Sequence, residues 1–448
     1  RVRPRFALGV GLHHPHLKWL VRQNDFDAEL QTVSASNMTT TATKAKMRGA
    51  PYFAFGDVAV GTQKDLRLLD GTRVKNFFKT SSSFAETTLP SRATIELRAA
   101  YGAAVRVADR ALGRVLDALE KREEVNARTV VIFTADHGYG LGEFGHWGKS
   151  SLYEVDARVP LYVREPTFST PRRARPFTRR VVELVDLFKS IVDLAGLPFE
   201  DPRFYAHVSG TSFKKHARRA AMRTTLPPRE VDESSSVSTK IGDVAITVMP
   251  KCPDSTRVVP FSCPRKSHEW PEDALVGYAA RSSKWRYVAW LKHNLTMDAV
   301  DWSREPVAEE LYDHRFDYSD DEDDDEARNL LVPNSQNHAG ARFFPVLSPS
   351  FTTTSTNVVP ADVARAVANA HLDRLRERAR QRYTDTFGRY PFRFHDETFG
   401  RAARLYSYPP GPRPTDRYPR VYIRSSNTET TPKETTTTED LLDRLHRR

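Results

Sequence analysis

Two short segments of the chain carry side chains that could bind a metal ion and transfer protons. One segment holds Asp136 and His137, directly after a β-branched run. The other follows an apolar run and holds three histidines: His13, His14 and His16. A carboxylate beside a neutral imidazole can bind one divalent cation, and Lys149 could bind an oxyanion as a point charge. These residue types indicate a site for a metal ion and an anionic group.

Each of these residues also has a purely structural explanation. An Asp in a turn often accepts hydrogen bonds from backbone amides, and a His in a loop is often simply solvated. The functional interpretation therefore rests on their co-occurrence. It also rests on nearby glycines that would let the backbone turn tightly around a cation: Gly138, Gly140 and Gly142.

The predicted elements place both segments at strand ends. Residues 6–12 are predicted to form a buried parallel strand, and residues 129–133 a second buried strand. Residues 21–90 are polar with little periodicity, which predicts a long irregular excursion. In an open α/β sheet, ligands bind at the carboxyl ends of the strands. We therefore expect the two segments to face one site.

Helices and strands alternate through the rest of this region. Apolar spacing predicts a helix over residues 94–120, a strand over residues 159–163 and a helix over residues 181–195. Gly196 and Pro198 would end the last helix. This order predicts an α/β class with a central mixed sheet sandwiched by helices.

After about residue 200 the pattern changes to short strands. Residues 276–281 and 285–291 are predicted to form a hairpin of a smaller α+β subdomain. The acidic run 320–326 indicates a solvated loop, with a calcium site as the less favoured alternative. A charged helix over residues 361–382 precedes a flexible tail. The predicted divisions are residues 1–200, 201–360 and 361–448.

Composition limits the class of protein further. The net charge is +11, from 68 basic and 57 acidic residues. This excess fits an anionic substrate, a nucleic acid or simply a basic C-terminal tail, so the charge alone decides little. No zinc-finger spacing or RNP-like stretch supports nucleic-acid binding, and no apolar run is long enough to span a membrane. Cys252 and Cys263 could be free thiols or a local disulfide. Sequons at Asn37 and Asn294 fit a secretory route.

The motifs resemble those of one enzyme family. Residues 134–143, followed by Trp147 and Lys149, resemble the second signature of iduronate-2-sulfatase-like sulfatases of the alkaline phosphatase superfamily. Residues 11–16 are similar to that family's strand ending in His-x-Pro-His. Further similar segments follow in the family's order: residues 184–198, 210–213, 277–281, 286–287 and 310–313.

The resemblance implies an alkaline-phosphatase-like sulfatase fold and a role for several residues. Asp136 and His137 would be ligands of an active-site calcium ion, with the anionic oxygen of Asp136 the stronger ligand. Lys149 and His16 would contact the sulfate, and His16 would supply a proton toward the leaving oxygen. His13 and His14 have no clear family role and are treated as supporting residues. The position of Cys252 and Cys263 is similar to that of the family's paired structural cysteines.

The chain also departs from the family pattern. The family's nucleophile is a formylglycine made in a Cys-x-Pro-Ser-Arg segment by a formylglycine-generating enzyme, and two further aspartates complete its metal site. None of these is in this sequence, and residues 252–257 are only a near miss. We therefore expect a chain incomplete at its N-terminus, inactive and poorly soluble alone. The full protein would act on sulfated carbohydrate or another sulfate ester in the lysosome or outside the cell.

Two alternatives stay open from the sequence. A phosphatase or phosphodiesterase of the same superfamily could bind zinc through Asp136, His137 and His16. A non-catalytic relative could instead bind sulfated glycans through its basic surface. Lys149 and the hairpin segments favour the sulfatase over the phosphatase, and the retained half of an active site disfavours the binding protein.

Overall fold

The computed structural model describes residues 6–16, 19–35, 67–68, 91–143, 146–166, 180–197, 209–221, 243–252, 263–264, 267–296, 298–315, 326, 329–331 and 359–385. The α-helices are α1 Gln23–Ala35, α2 Ser91–Glu120, α3 Glu123–Asn126, α4 Glu154–Ala157, α5 Leu187–Leu194, α6 Lys214–Ala221 and α7 Ala361–Asp385. Two 3₁₀ turns span Leu184–Asp186 and Ser267–Glu269. None of the described helices is both long and apolar enough to cross a membrane.

The strands form four separate sheets within the described residues. They are β1 Leu20–Val21, β2 Arg67–Leu68, β3 Val131–Thr134, β4 Gly140–Leu141, β5 Trp147–Gly148, β6 Leu161–Arg164, β7 Ala245–Lys251, β8 Leu275–Arg281, β9 Trp285–Asn294, β10 Ala299–Val300 and β11 Ala308–Asp313. β1 pairs with β2 in parallel, while β3 with β6 and β4 with β5 pair antiparallel. This mixture of helices and sheets confirms the predicted α/β class, while the division into three regions stays a prediction.

The five strands from β7 to β11 form one antiparallel sheet. β9 is paired along one edge with β8, and along the other with β11 and β10. The predicted hairpin is confirmed, since the backbone N–H of Ser282 donates to the carbonyl of Trp285 at 2.8 Å. Trp285, Tyr287 and Leu291 alternate along β9 in one core cluster, to which α7 adds Leu375. Alternating side chains share one face of a strand, so this face is closed by α7.

The opposite face of this sheet carries its own apolar cluster. Trp290 and Val288 of β9 pack with Leu152 and Tyr153, which precede α4. Gly277 of β8 allows this approach, because a Cβ there would lie 2.6 Å from both Leu152 and Trp290 side-chain atoms. The sheet is therefore buried on both faces, and its second face contacts the segment that follows the candidate site.

The predicted irregular excursion over residues 21–90 is wrong at its start, because α1 is a helix. Phe26 is its one buried residue, so the helix lacks the apolar stripe that reveals a helix in sequence. Ion pairs to α2 stabilise it instead: Arg110 binds Asp25 at 2.5 Å, and Arg106 binds Glu29. The predicted helix over residues 94–120 is confirmed as α2.

The predicted buried strand over residues 6–12 is also wrong in this structure. These residues form no regular element, and the side chains of Phe6 and Leu8 are 65% and 73% exposed. A strand that is apolar on both faces needs neighbours to cover it, and no described strand pairs with this segment. The predicted strands near Asp136 do form, as β3 and β6, but they are antiparallel and only partly buried.

The acidic run holds one further correction. Glu326, its last residue, is only 4% exposed and is not a solvated loop residue. Its carboxylate accepts hydrogen bonds from Arg286 at 2.5 Å and from the backbone N–H of Glu154 at 2.8 Å. Residues 320–325, with the alternative calcium site, lie outside the described residues.

Candidate active site

Asp136 and His137 lie in the turn directly after β3. The Asp136 carboxylate accepts a hydrogen bond from the His137 backbone N–H at 3.0 Å, yet its side chain remains 88% exposed. The Nδ1 of His137 lies 2.8 Å from the Gly138 carbonyl. Since a carbonyl only accepts, Nδ1 carries the proton and Nε2 presents a lone pair. The turn thus exposes one anionic oxygen group and one nitrogen lone pair.

Lys149 reaches this turn from the loop after β5. Its Nζ donates a hydrogen bond to the Nε2 of His137 at 3.1 Å. The Nε2 of His137 is in turn 3.5 Å from the Asp136 carboxylate. The structure therefore brings together three residues singled out from the sequence, with a positive charge beside a carboxylate and an imidazole.

The backbone around Lys149 has an unusual conformation. Gly148 and Ser150 on either side have φ angles of 95° and 79°, in the left-handed region that costs a non-glycine residue energy. The Ser150 carbonyl accepts a hydrogen bond at 2.6 Å from Lys251, a buried residue at the end of β7. The large sheet therefore supports the conformation of the loop that holds Lys149.

A second pair of residues next to this loop is not apparent from the sequence. His146 donates a hydrogen bond from Nε2 to the Asp156 carboxylate at 3.0 Å, and both side chains are buried. Burial alone raises the pKa of Asp156, but hydrogen bonds from His146 and Ser151 outweigh it and lower the pKa. No sequence signal marks these residues, because a His and an Asp at this spacing become a pair only after the loop folds.

Gly138 is required where the turn approaches α4. A Cβ at this position would lie 1.9 Å from the Val155 carbonyl oxygen, so any other residue would displace one of the two segments. The Gly138 N–H donates to the Asp156 carbonyl at 2.8 Å. The glycine was expected to let the backbone turn around a cation, whereas in this structure it allows close packing of backbone against backbone.

The histidine segment is held against the same part of the molecule by Trp19. The Trp19 indole donates to the Pro15 carbonyl at 2.8 Å, and its ring contacts that of Tyr139, two residues after His137, at 5.9 Å. The backbone N–H of His16 donates to the His13 carbonyl at 2.9 Å, which closes a turn with both side chains exposed. His14 is partly buried, and desolvation lowers its pKa although a hydrogen bond with the Leu20 backbone opposes this.

Comparison with known proteins relates part of the chain to one family. Residues 6–197 match the family described as Sulfatase. Iduronate 2-sulfatase of Homo sapiens is 27% identical over 324 residues, which cover 64% of this chain and 52% of that protein. Residues 6–197 thus resemble a sulfatase domain. The mouse iduronate 2-sulfatase is 26% identical, with the same coverage, so this chain spans about half the length of these relatives.

Two solved structures are also similar to part of the chain. One was determined in complex with its substrate, D-glucosamine-2-N,6-O-disulfate; it is 20% identical with a TM-score of 0.39, and the match covers 66% of this chain and 42% of that one. The phosphonate monoester hydrolase of Silicibacter pomeroyi has the same TM-score and identity, with coverage of 68% and 46%.

The remaining candidates from the sequence are two cysteines and two asparagines in sequons. Cys252, which follows Lys251, forms a disulfide with Cys263. Asn294 lies at the end of β9 and is partly exposed, while Asn37 falls outside the described residues. Among the described residues, no group of three or more His, Cys, Asp or Glu side chains could hold a metal ion. Asp136 and His137 therefore stand as two ligand candidates rather than a full coordination set.

Proposed function

We propose that this chain provides the Asp136, His137 and Lys149 part of the active site of a sulfuric ester hydrolase. The contact between the Lys149 ammonium and the His137 imidazole at 3.1 Å, beside the open Asp136 carboxylate, carries the proposal. One positive charge thus lies next to two groups suited to a divalent cation, an arrangement that suits a sulfate ester. The similarity of residues 6–197 to the Sulfatase family supports this reaction class.

Lys149 acts on the sulfate as an electrostatic donor. Its Nζ is held by His137 and its loop by the large sheet, so it is oriented before substrate binds. A preorganised positive group stabilises charge that develops on the sulfate oxygens in the transition state, at little reorganisation cost. His16, exposed in the turn after the apolar segment, would supply a proton to the leaving alcohol oxygen.

Asp136 and His137 fit a hard divalent cation, with calcium the best candidate. The Asp136 carboxylate is exposed and has free acceptor capacity. The Nε2 lone pair of His137 accepts from Lys149 in this structure, and it would bind the cation when Lys149 turns to the sulfate. When bound, calcium would supply positive charge for the sulfate oxygens. The remaining ligands and the formylglycine nucleophile would come from residues outside this sequence, with a formylglycine-generating enzyme as the partner that makes the nucleophile.

The substrate class and the compartment follow from the same proposal. The relatives named iduronate 2-sulfatase, and the neighbour solved with a sulfated glucosamine, favour a sulfated carbohydrate over other sulfate esters. The Cys252–Cys263 disulfide favours an oxidising compartment. We therefore propose a secretory protein of the lysosome or the extracellular space.

The test is sulfate release by the complete gene product that contains this chain, produced together with formylglycine-generating enzyme. We expect hydrolysis of an aryl sulfate and of sulfated disaccharides. Lys149→Ala should lower kcat by about 100- to 1,000-fold, as removal of a preorganised charge donor does in other enzymes. Lys292→Ala is the matched control, since Lys292 is an exposed lysine on β9.

Two outcomes would reject this assignment. One is a kcat in Lys149→Ala equal to that of the Lys292→Ala control. The other is hydrolysis of phosphate esters in preference to sulfate esters, with zinc in the purified protein, which would support the phosphatase of the same superfamily.

A further inference from the structure

A buried histidine–aspartate pair lies next to the loop that carries Lys149. The side chains of His146 and Asp156 are 1% and 4% exposed, and their Nε2 and Oδ2 atoms are 3.0 Å apart. The same Oδ2 also accepts hydrogen bonds from the Ser151 hydroxyl at 2.6 Å and from the Ser151 backbone N–H at 2.8 Å. One carboxylate oxygen thus joins a residue before Lys149 to a residue after it.

The backbone of Asp156 makes a third connection. Its carbonyl accepts from the N–H of Gly138 at 2.8 Å, and Gly138 directly follows His137. Asp156 is therefore bonded to both segments of the candidate site, the turn with His137 and the loop with Lys149.

The pair is poorly explained by stability alone. Taking a carboxylate out of water is costly, and a buried ion pair often contributes no more than an apolar pair of the same size. An apolar contact would have no directional bonds, whereas three donors converging on Oδ2 fix the course of the loop. Gly140 is also fitted to this arrangement, because a Cβ there would lie 2.4 Å from the His146 ring.

We propose that His146 and Asp156 are positioning residues that hold Lys149 against His137 for sulfate-ester hydrolysis. This inference rests on the proposed function for its role in the reaction. Neither side chain needs to touch the substrate. Asp156 holds Ser151 and His146 on either side of Lys149, and this constraint maintains the left-handed backbone at Gly148 and Ser150.

The first test measures the geometry of Lys149 without any activity. The purified chain is treated with acetic anhydride, and acetylation of Lys149 is followed by mass spectrometry relative to the exposed Lys292. In His146→Leu and Asp156→Asn, the loop opens more often, so we expect faster acetylation of Lys149 and an unchanged rate at Lys292. His146→Gln keeps a side-chain N–H donor and should restore part of the protection.

The second test measures catalysis by the complete gene product. Asp156→Asn and His146→Leu should lower kcat by about 10- to 100-fold, the cost of misplacing a reacting group by roughly 1 Å, with a smaller change in KM. Asp243→Asn, which removes the carboxylate of an exposed ion pair with Arg180, is the matched control. A cooperative melt for each variant shows that the measured protein is folded.

The outcomes separate this inference from the proposed function. Faster Lys149 acetylation in the variants of a protein that hydrolyses no sulfate ester would reject the function and retain the positioning role. An Asp156→Asn variant that melts early but keeps the wild-type kcat and Lys149 acetylation rate would overturn the positioning role and leave a structural pair. The positioning role would also be overturned if His146→Gln and His146→Leu had the same kcat and the same rate of Lys149 acetylation.

Discussion

The large antiparallel sheet and the region that carries the candidate site differ in how completely their strands are covered. In β9 eight of ten residues are buried, including Trp285, Tyr287 and Trp290 at 1% exposure or less. In β3 no residue is fully buried, and Tyr162 of the paired β6 is 67% exposed. The sheet thus forms a buried core, whereas the strands next to the candidate site are only partly buried.

Charged groups follow the same division. In the sheet, Arg286 is bonded to Glu154 and Glu326 with almost no contact with solvent. Burial opposes ionisation of Glu154, but Arg286 and Arg281 lower its pKa to about 2. At the site, Asp136 is almost fully exposed. The sheet thus buries its ion pairs, whereas the site region combines a buried Asp156 with an accessible Asp136.

The largest expected effect is a difference in the free energy of unfolding between alanine variants of two tyrosines, one on a strand of each region. Tyr287→Ala should reduce the free energy of unfolding by about 3–5 kcal/mol, because it leaves a cavity in the sheet core and removes the hydrogen bond to Glu309. Tyr162→Ala should cost less than about 1 kcal/mol, since its ring is mostly solvated. Urea unfolding of both variants measures the difference, and equal losses would refute the contrast between the regions.

A second effect should separate two ion pairs. Glu326→Gln removes the charge that faces Arg286 and His314 in the buried network, and should cost about 3 kcal/mol because it leaves a buried guanidinium less well paired. Asp243→Asn breaks the exposed pair with Arg180 and should cost no more than about 1 kcal/mol. Thermal melts of the two variants provide the comparison, and a larger loss for Asp243→Asn would contradict it.

The sequence predicted the sheet region better than the site region, for a physical reason. The hairpin of β8 and β9 is specified locally, by two β-prone runs joined by two serines, so its pattern is visible without the rest of the fold. Helix α1 could not be predicted from apolar spacing, because ion pairs from Asp25 and Glu29 to α2 stabilise it in place of an apolar stripe. Residues 6–12 carry the pattern of a buried strand, yet no described strand covers them.

The site residues divide in a similar way. The site could be predicted at Asp136, His137 and Lys149, because their residue types suit a metal ion and an anion and their motif resembles a family signature. His146, Asp156 and Lys251 were not found, because each acts through a contact that only the folded chain creates. In a sequence, an Asp that is buried and supports the site cannot be distinguished from an Asp on the surface.

The sheet should also respond to pH through His371 on α7. Its ring is fully buried, with Nδ1 donating to the Val367 carbonyl and Nε2 3.2 Å from the Ser282 hydroxyl. Burial lowers the pKa of His371 from 6.5 to about 4. The unfolded chain therefore binds this proton first, and the stability due to the neutral ring, present above pH 6.5, is lost as pH falls toward 4.

Between pH 7 and pH 5 this residue should account for about 2 kcal/mol of lost stability. His371→Gln removes the titration, so its free energy of unfolding should fall less over that range than that of the wild type. Denaturant unfolding at the two pH values measures the difference. Equal losses of unfolding free energy in the two proteins would show that protonation of His371 does not destabilise the sheet core.

The smallest effect concerns the two described non-glycine residues with positive φ, one in each region. Ser150, beside Lys149, has a φ of 79°, and Asp298, beside β10, has a φ of 50°. Ser150→Gly should raise the free energy of unfolding by up to about 1 kcal/mol, since glycine adopts this backbone without strain. Asp298→Gly should give no gain, because it also removes the contact with His293 at 3.5 Å.

If strain at Ser150 serves the site, the stabilised Ser150→Gly protein should be the less active one. The glycine widens the range of backbone conformations next to Lys149, so the ammonium spends less time against His137. Paired measurements of melting temperature and kcat in the complete gene product test this opposition. A Ser150→Gly variant that gains stability and keeps full kcat would show that the left-handed backbone has no part in holding Lys149.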